Sequence, residues 1–160
     1  DYATVRERLT QLAALPLAER TEDRTVGMTM WLNLLAGQYD QVFAASSLTS
    51  RNHFEDAVLL YPHKHWLLAL ASERQGKPNL ARTRWQEAEP LLRQRAAEAP
   101  GNTNRQFEHA ITLARVGRGE EAQAIVAQIE PAWREDLTRG RPGLLAMFYA
   151  SLGDAPRTVE

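Results

Sequence analysis

Between positions 106 and 128 the chain reads QFEHAITLARVGRGEEAQAIVAQ, and its apolar residues fall into two helical registers separated by a break. Ala110, Leu113 and Ala114 recur at helical spacing up to Gly117-Arg118-Gly119, and Ala122, Ile125, Val126 and Ile129 resume the pattern beyond it. Glycine supplies the left-handed backbone that ends one helix and reverses the chain. Small residues on both sides of the break let two antiparallel helices approach closely. The pattern predicts a helix–turn–helix hairpin, and the rest of the chain looks like copies of it.

From the start, 2–14 predicts an amphipathic helix with Val5, Leu9, Leu12 and Ala13 on one face, closed by Pro16. Residues 15–20 form a short connection. Thr21, followed by Glu22 and Asp23, marks the next helix start, a capping hydroxyl with carboxylates near the positive end of the helix dipole. That helix runs to about Ala36 and stops at Gly37; its partner, 39–47, ends in a polar cluster. Residues 54–61 predict a short helix limited by Pro62, and 64–75 a strong one. Gly76-Lys77-Pro78 is a stop followed by a proline suited to the first turn of the next helix. Residues 80–98 are helical but contain Pro90, whose ring removes a donor and crowds the Gln86 carbonyl, so a bend or break is expected there. A loop follows at 99–102. The second helix of the 106–128 hairpin carries Pro131, and the chain breaks by 139–143. Residues 144–152 begin another copy, turning at Gly153-Asp154. No run alternates with period two over a strand's length, so the fold is expected to be all-α.

Gly37, Gly76, Gly117 and Gly153 are separated by 39, 41 and 36 residues. Seven residues before them stand Met30, Ala69, Ala110 and Ala146; five after them stand Val42, Ala81, Ala122 and Thr158. Glu89-Pro90 and Glu130-Pro131 share one offset from their glycines, which argues for duplication. A period near forty marks a helical solenoid. The pattern resembles the tetratricopeptide repeat family from about Glu22 to Glu160, best in the second and third copies, where Trp85 or Val126 matches the internal bulky position. The first copy keeps Ala36-Gly37-Gln38-Tyr39-Asp40 but has Met30 and Ser46 where the family prefers a small residue and an aromatic. The proline that usually closes each family repeat is absent. The phrasing of 81–152 also resembles the degenerate repeats of bacterial signalling and regulatory proteins. The resemblance implies a right-handed α-solenoid of TPR-like helix hairpins. Residues 1–20 would be an N-terminal helix packing on the array; the repeats would span about 21–56, 62–100, 103–139 and a truncated 141–160.

The composition narrows the function classes. At 160 residues, 44% apolar and 24% charged, the chain suits one compact domain or a short repeat array. A net charge of −1 gives no electrostatic footprint for nucleic acid or an anionic membrane. The absence of cysteine excludes disulfides, thiolate chemistry and Cys-based zinc sites, and leaves the compartment open: cytoplasmic is expected, with periplasmic as the alternative. The longest apolar stretch, 143–153, is about half of a membrane span. The chain opens on Asp1 and reads as a piece of something longer.

Candidate chemistry is sparse. In His63-Lys64-His65, residues two apart on a helix point to different faces, so the motif reads as a solvated helix start and not a metal site. His53 with Glu55 and Asp56 is a polar loop cluster, and His109 a packed, hydrogen-bonded side chain. Ser46, Ser47 and Ser50 lack a nucleophile elbow. Glu120-Glu121 offsets a helix dipole. No catalytic, cofactor or metal residue is assigned, and no enzyme activity is expected.

The family resemblance implies a concave groove lined by the first helix of each hairpin. In this sequence that side would show His63, Trp66, Leu70, Glu73 and Arg74, then Asn104, Phe107, Glu108, Ile111 and Arg115. Trp66 and Phe107 stand ten residues before their glycines, where aromatics beside arginine would anchor a partner; the alternative is that both rings are core. Trp31 and Trp85 read as core. The positions at which some family members clamp a peptide carboxylate hold Gly27, Trp31, Leu67, Asn104 and Glu108, none basic, so that ligand class is not expected. The expected function is a scaffold binding a partner peptide or protein, as the regulatory or interaction region of a larger bacterial protein. The alternatives are a homodimer formed through terminal hairpins left uncovered around Leu145, Met147 and Phe148, and a small-molecule sensor with a pocket near His63 and Arg74.

Overall fold

The structure, a computed structural model, describes residues 2–20, 22–54, 63–135, 144–146, 148, 149 and 152. Among these the chain is all-helical: α1 Tyr2–Ala13, α2 Leu17–Arg20, α3 Asp23–Leu35, α4 Tyr39–Ser46, α5 Lys64–Arg74, α6 Pro78–Glu98, α7 Thr103–Arg115 and α8 Gly119–Glu135. Residues 144–146, 148 and 149 are also helical. The described residues contain no strand, only an isolated antiparallel bridge between His53 and His63. No helix among them is long and apolar enough to cross a membrane.

The three turn glycines in the described residues adopt the left-handed backbone that the pattern requires, with φ of 73°, 68° and 87° at Gly37, Gly76 and Gly117. Each closes its helix the same way. The glycine N–H donates three residues back, to Leu34, Glu73 or Ala114. The next N–H donates five back, from Gln38 to Asn33, Lys77 to Ser72 and Arg118 to Leu113, each at 2.9 Å. This paired cap satisfies carbonyls that a helix end would otherwise strand. Around it, Met30, Ala69 and Ala110 are fully buried, as are Val42 and Ala122, with Ala81 nearly so. Gly153 and its turn lie outside the described residues.

The chain divides into two compact units, Asp1–Arg84 and Trp85–Glu160. In the first, α3 packs against α1, α4 and α5, and α4 against α5. Its core includes Val26, Met30, Val42, Phe54, Trp66 and Leu67. The loop after α4 is tied to the start of α3: Thr49 Oγ1 donates to Asp23 Oδ1 at 2.6 Å, and Arg51 Nε lies 2.7 Å from Asp23 Oδ2. The loop thereby delivers Phe54 onto Gly27, where an added Cβ would meet the ring's Cγ at 2.6 Å. Gly27 stands ten residues before its turn glycine, at the offset of Trp66 and Phe107. Here the ring comes from the loop and not from the helix itself. Gly27→Ala is therefore expected to destabilise the unit by about 1–3 kcal/mol in urea unfolding, because Phe54 is itself fully buried and must shift. An unchanged midpoint would show that the ring yields without cost.

In the second unit α7 and α8 form the hairpin read from the sequence. Asn102 caps α7, accepting from the Arg105 N–H at 3.2 Å. Phe107 lies 4.5 Å from Trp133 and 6.2 Å from Phe148 between ring centroids, and Phe148 lies 5.3 Å from Tyr149, edge to face. Tyr149 Oη donates to Glu130 Oε2 at 2.6 Å, so the one polar atom of that ring is satisfied.

Several local expectations need correction. Within the 15–20 connection, Leu17–Arg20 is a turn of helix. The residue capping α3 is Glu22, without a side-chain bond; Thr21 lies outside the described residues. Helix α6 continues through Pro90 and α8 through Pro131. Both prolines are exposed, as are Gln86 and Ala127 four residues before them, so water can meet the carbonyls that proline leaves unbonded. Phe54 is not helical; the rest of 54–61, like the break at 139–143, lies outside the described residues.

Candidate functional site

Helix α5 was expected to turn one face to a groove. Its N-cap, His63, is extended (φ −111°, ψ 127°), and Lys64 N–H donates to the Asn52 carbonyl, which holds the helix start against the preceding loop. Trp66, Leu67, Leu68, Ala69, Ala71 and Ser72 are all buried. A helix apolar around most of its circumference belongs inside a unit, and α5 is covered by both α3 and α4. Two of the five groove residues expected here are consequently not surface: His63 and Trp66 are each 1% exposed. Leu70 is half-buried, while Glu73 and Arg74 are exposed.

Helix α7, in the second unit, repeats the outcome. Phe107 and Ile111 are buried at 4% and 5% exposure, leaving Asn104 and Arg115 on the surface. Phe107 is core because Trp133 and Phe148 close over it. Arg115 holds its guanidinium carbon 5.6 Å from the centre of the Trp85 ring, a cation–π stack that fixes the direction of an otherwise flexible side chain. Trp85 is core, as read; Trp31 is only partly buried.

Of two polar sites on α7, His109 is the packed, hydrogen-bonded side chain read from the sequence, while the setting of Glu108 was not legible. Glu108 is half-buried, and its Oε2 has no hydrogen-bond partner among the described residues. Burial pushes its carboxyl up to about 7, opposed in part by Arg95 and Arg105. His109 is buried, its Nε2 3.5 Å from Glu89 Oε1. Burial lowers its pKa, although Glu89 works the other way. Glu89 also takes Arg118 Nη1 at 3.0 Å, and Arg118 grips Glu121 through two bonds of 2.6 Å. This chain of groups ties α6, α7, the turn and α8 together around a neutral imidazole.

The Glu108 carboxyl gives a pH-dependent prediction. Between about 4.5 and 7 the unfolded chain has released this proton while the folded chain keeps it, so its contribution to stability falls as pH rises through that window. Above 7 the cost is complete. Glu108→Gln should therefore be more stable than the parent at pH 8, by up to about 3 kcal/mol, with the gain vanishing below pH 4.5. Urea midpoints of both proteins across this range check it; a glutamine variant less stable at pH 8 would contradict it. The opposite slope from His109 is common to both proteins and cancels.

The His63-Lys64-His65 segment is not the solvated helix start expected. The rings of His53 and His63 lie 6.4 Å apart and those of His63 and His65 5.6 Å. No group of three His, Cys, Asp or Glu residues among those described is arranged to hold a metal ion. His63 and Arg74, expected to border a sensor pocket, line neither of two cavities in the first unit, which flank α1. The uncovered terminal face expected at Leu145 and Phe148 is also absent: they are 4% and 0% exposed. The Met147 side chain lies outside the described residues. No family model, curated protein or solved structure matches the chain.

Proposed function

We propose that the chain is a helical-repeat scaffold of the tetratricopeptide kind, a right-handed solenoid that holds a protein segment and performs no chemistry of its own, as the interaction region of a larger signalling protein. The observation that carries this reading is the recurrence of one turn: the same two-bond cap at Gly37, Gly76 and Gly117, with buried residues seven before and five after each. Repeats of this kind stabilise one another by stacking and leave one helix face of each unit for a partner. The strip on α5 is the exposed Glu73 and Arg74 with the half-buried Leu70; that on α7 is the exposed Asn104 and Arg115. Arginine held on a tryptophan face is a preferred interface anchor.

Selection of ligands from a displayed peptide library tests the reading. Enriched peptides are expected to lose at least about tenfold in affinity to Arg115→Glu or Leu70→Asp, the scale of an interface anchor. They should keep it against Gln123→Glu, on the exposed surface of α8. Peptides indifferent to both strip substitutions, or no enrichment at all, would refute the proposal.

A further inference from the structure

Within the first unit, α1, α3, α4, the Gly37–Gln38 turn and Gln75 line an open cleft of about 850 Å³. That is the size of a small-molecule site. It exists because α1 does not fill the space beside α3: Val5, Leu9 and Leu12 all remain only half-buried. The walls are apolar where Leu9 and Leu12 meet Val26, Ala44 and Ala45. Set into them is Asn33, 5% exposed, whose Nδ2 donates to the Thr29 carbonyl at 2.9 Å. Its Oδ1 accepts no hydrogen bond among the described residues. The residue at the same offset in the next hairpin, Ser72, satisfies itself on the Leu68 carbonyl at 2.7 Å. That oxygen is not one of the buried polar atoms left without a partner, so water reaches it, and a donor on a ligand can take the water's place.

Charge selects the class of occupant. Asp40 is the one charged side chain among the described lining residues; it is exposed, and only its Oδ1 is engaged, by Gln75 Nε2 at 2.8 Å. No arginine or lysine among them faces the cleft, so an anion would meet an uncompensated carboxylate. We infer that this cleft binds a small apolar molecule carrying a protonated amine. The hydrocarbon body lies against Leu9, Leu12 and Ala44, the ammonium is drawn to Asp40, and Asn33 Oδ1 accepts a hydrogen bond.

Titration of the ¹⁵N-labelled chain with 1-naphthylmethylamine and, separately, with 1-naphthaleneacetate decides the matter. The expected result is saturable amide shifts confined to α1, α3 and α4, including Asn33 and Ala44, with the amine binding about fivefold more tightly, the scale of a solvent-exposed ion pair. Asp40→Asn should erase that preference without abolishing binding. Ala44→Trp, at an exposed lining position, should block both probes while keeping far-UV helicity. Absence of saturable shifts, shifts centred elsewhere, or equal or tighter binding of the carboxylate by the parent protein would overturn the inference. Failure here leaves the peptide-binding reading intact, since the two readouts share no residue.

Discussion

Ala122→Arg is expected to unfold the α7–α8 hairpin. Ala122 is fully buried five residues past Gly117, where the two helices turn back on each other. An arginine there adds both excess volume, about 1–3 kcal/mol, and an unpaired buried charge, several kcal/mol more. The total rivals the stability of an ordinary domain. Far-UV circular dichroism should show lost helicity at 25 °C, and the urea transition should lose its cooperative form. Gln123→Arg, one residue on and exposed, is the control and should stay within about 0.5 kcal/mol. A wild-type midpoint for Ala122→Arg would mean that the helices do not approach closely at this position.

Truncation of the two aromatics separates the alternatives the sequence left open. Phe107→Ala removes a ring packed on Trp133 and Phe148, and Trp66→Ala removes one 1% exposed. Each should cost about 3–5 kcal/mol in urea unfolding, the range for deleting a buried aromatic. A ring serving only a groove would instead cost about 0.5 kcal/mol or less. Near-UV circular dichroism, which reports aromatic packing, should collapse for Phe107→Ala. Unchanged stability in either variant would return that ring to the surface.

The hairpins were legible because the signals that set them are local. A glycine at positive φ, alanines at fixed offsets and a 3.6-residue rhythm are all contained within some twenty-five positions around Gly117. What was not legible depends on which elements meet. Trp66 reads as an anchor or as core until α3 and α4 are known to flank α5 together. Gly27 looks like a weak point in a helix, yet it is a seat for Phe54, delivered by a loop pinned through Asp23 and Thr49. Pro90 predicts a break only if its neighbourhood is dry, and the exposure of Gln86 removes that condition. The raised pKa of Glu108 and the spare acceptor of Asn33 follow from burial by other segments, which periodicity alone does not specify.

Methyl-resolved nuclear Overhauser spectroscopy tests the repeated hairpin most directly. Cross-peaks should join Met30 to Val42, Ala69 to Ala81 and Ala110 to Ala122, the same pair of offsets across each of three turns. A pair found across one turn and missing across the other two would contradict the claim that a single structural unit recurs along this chain.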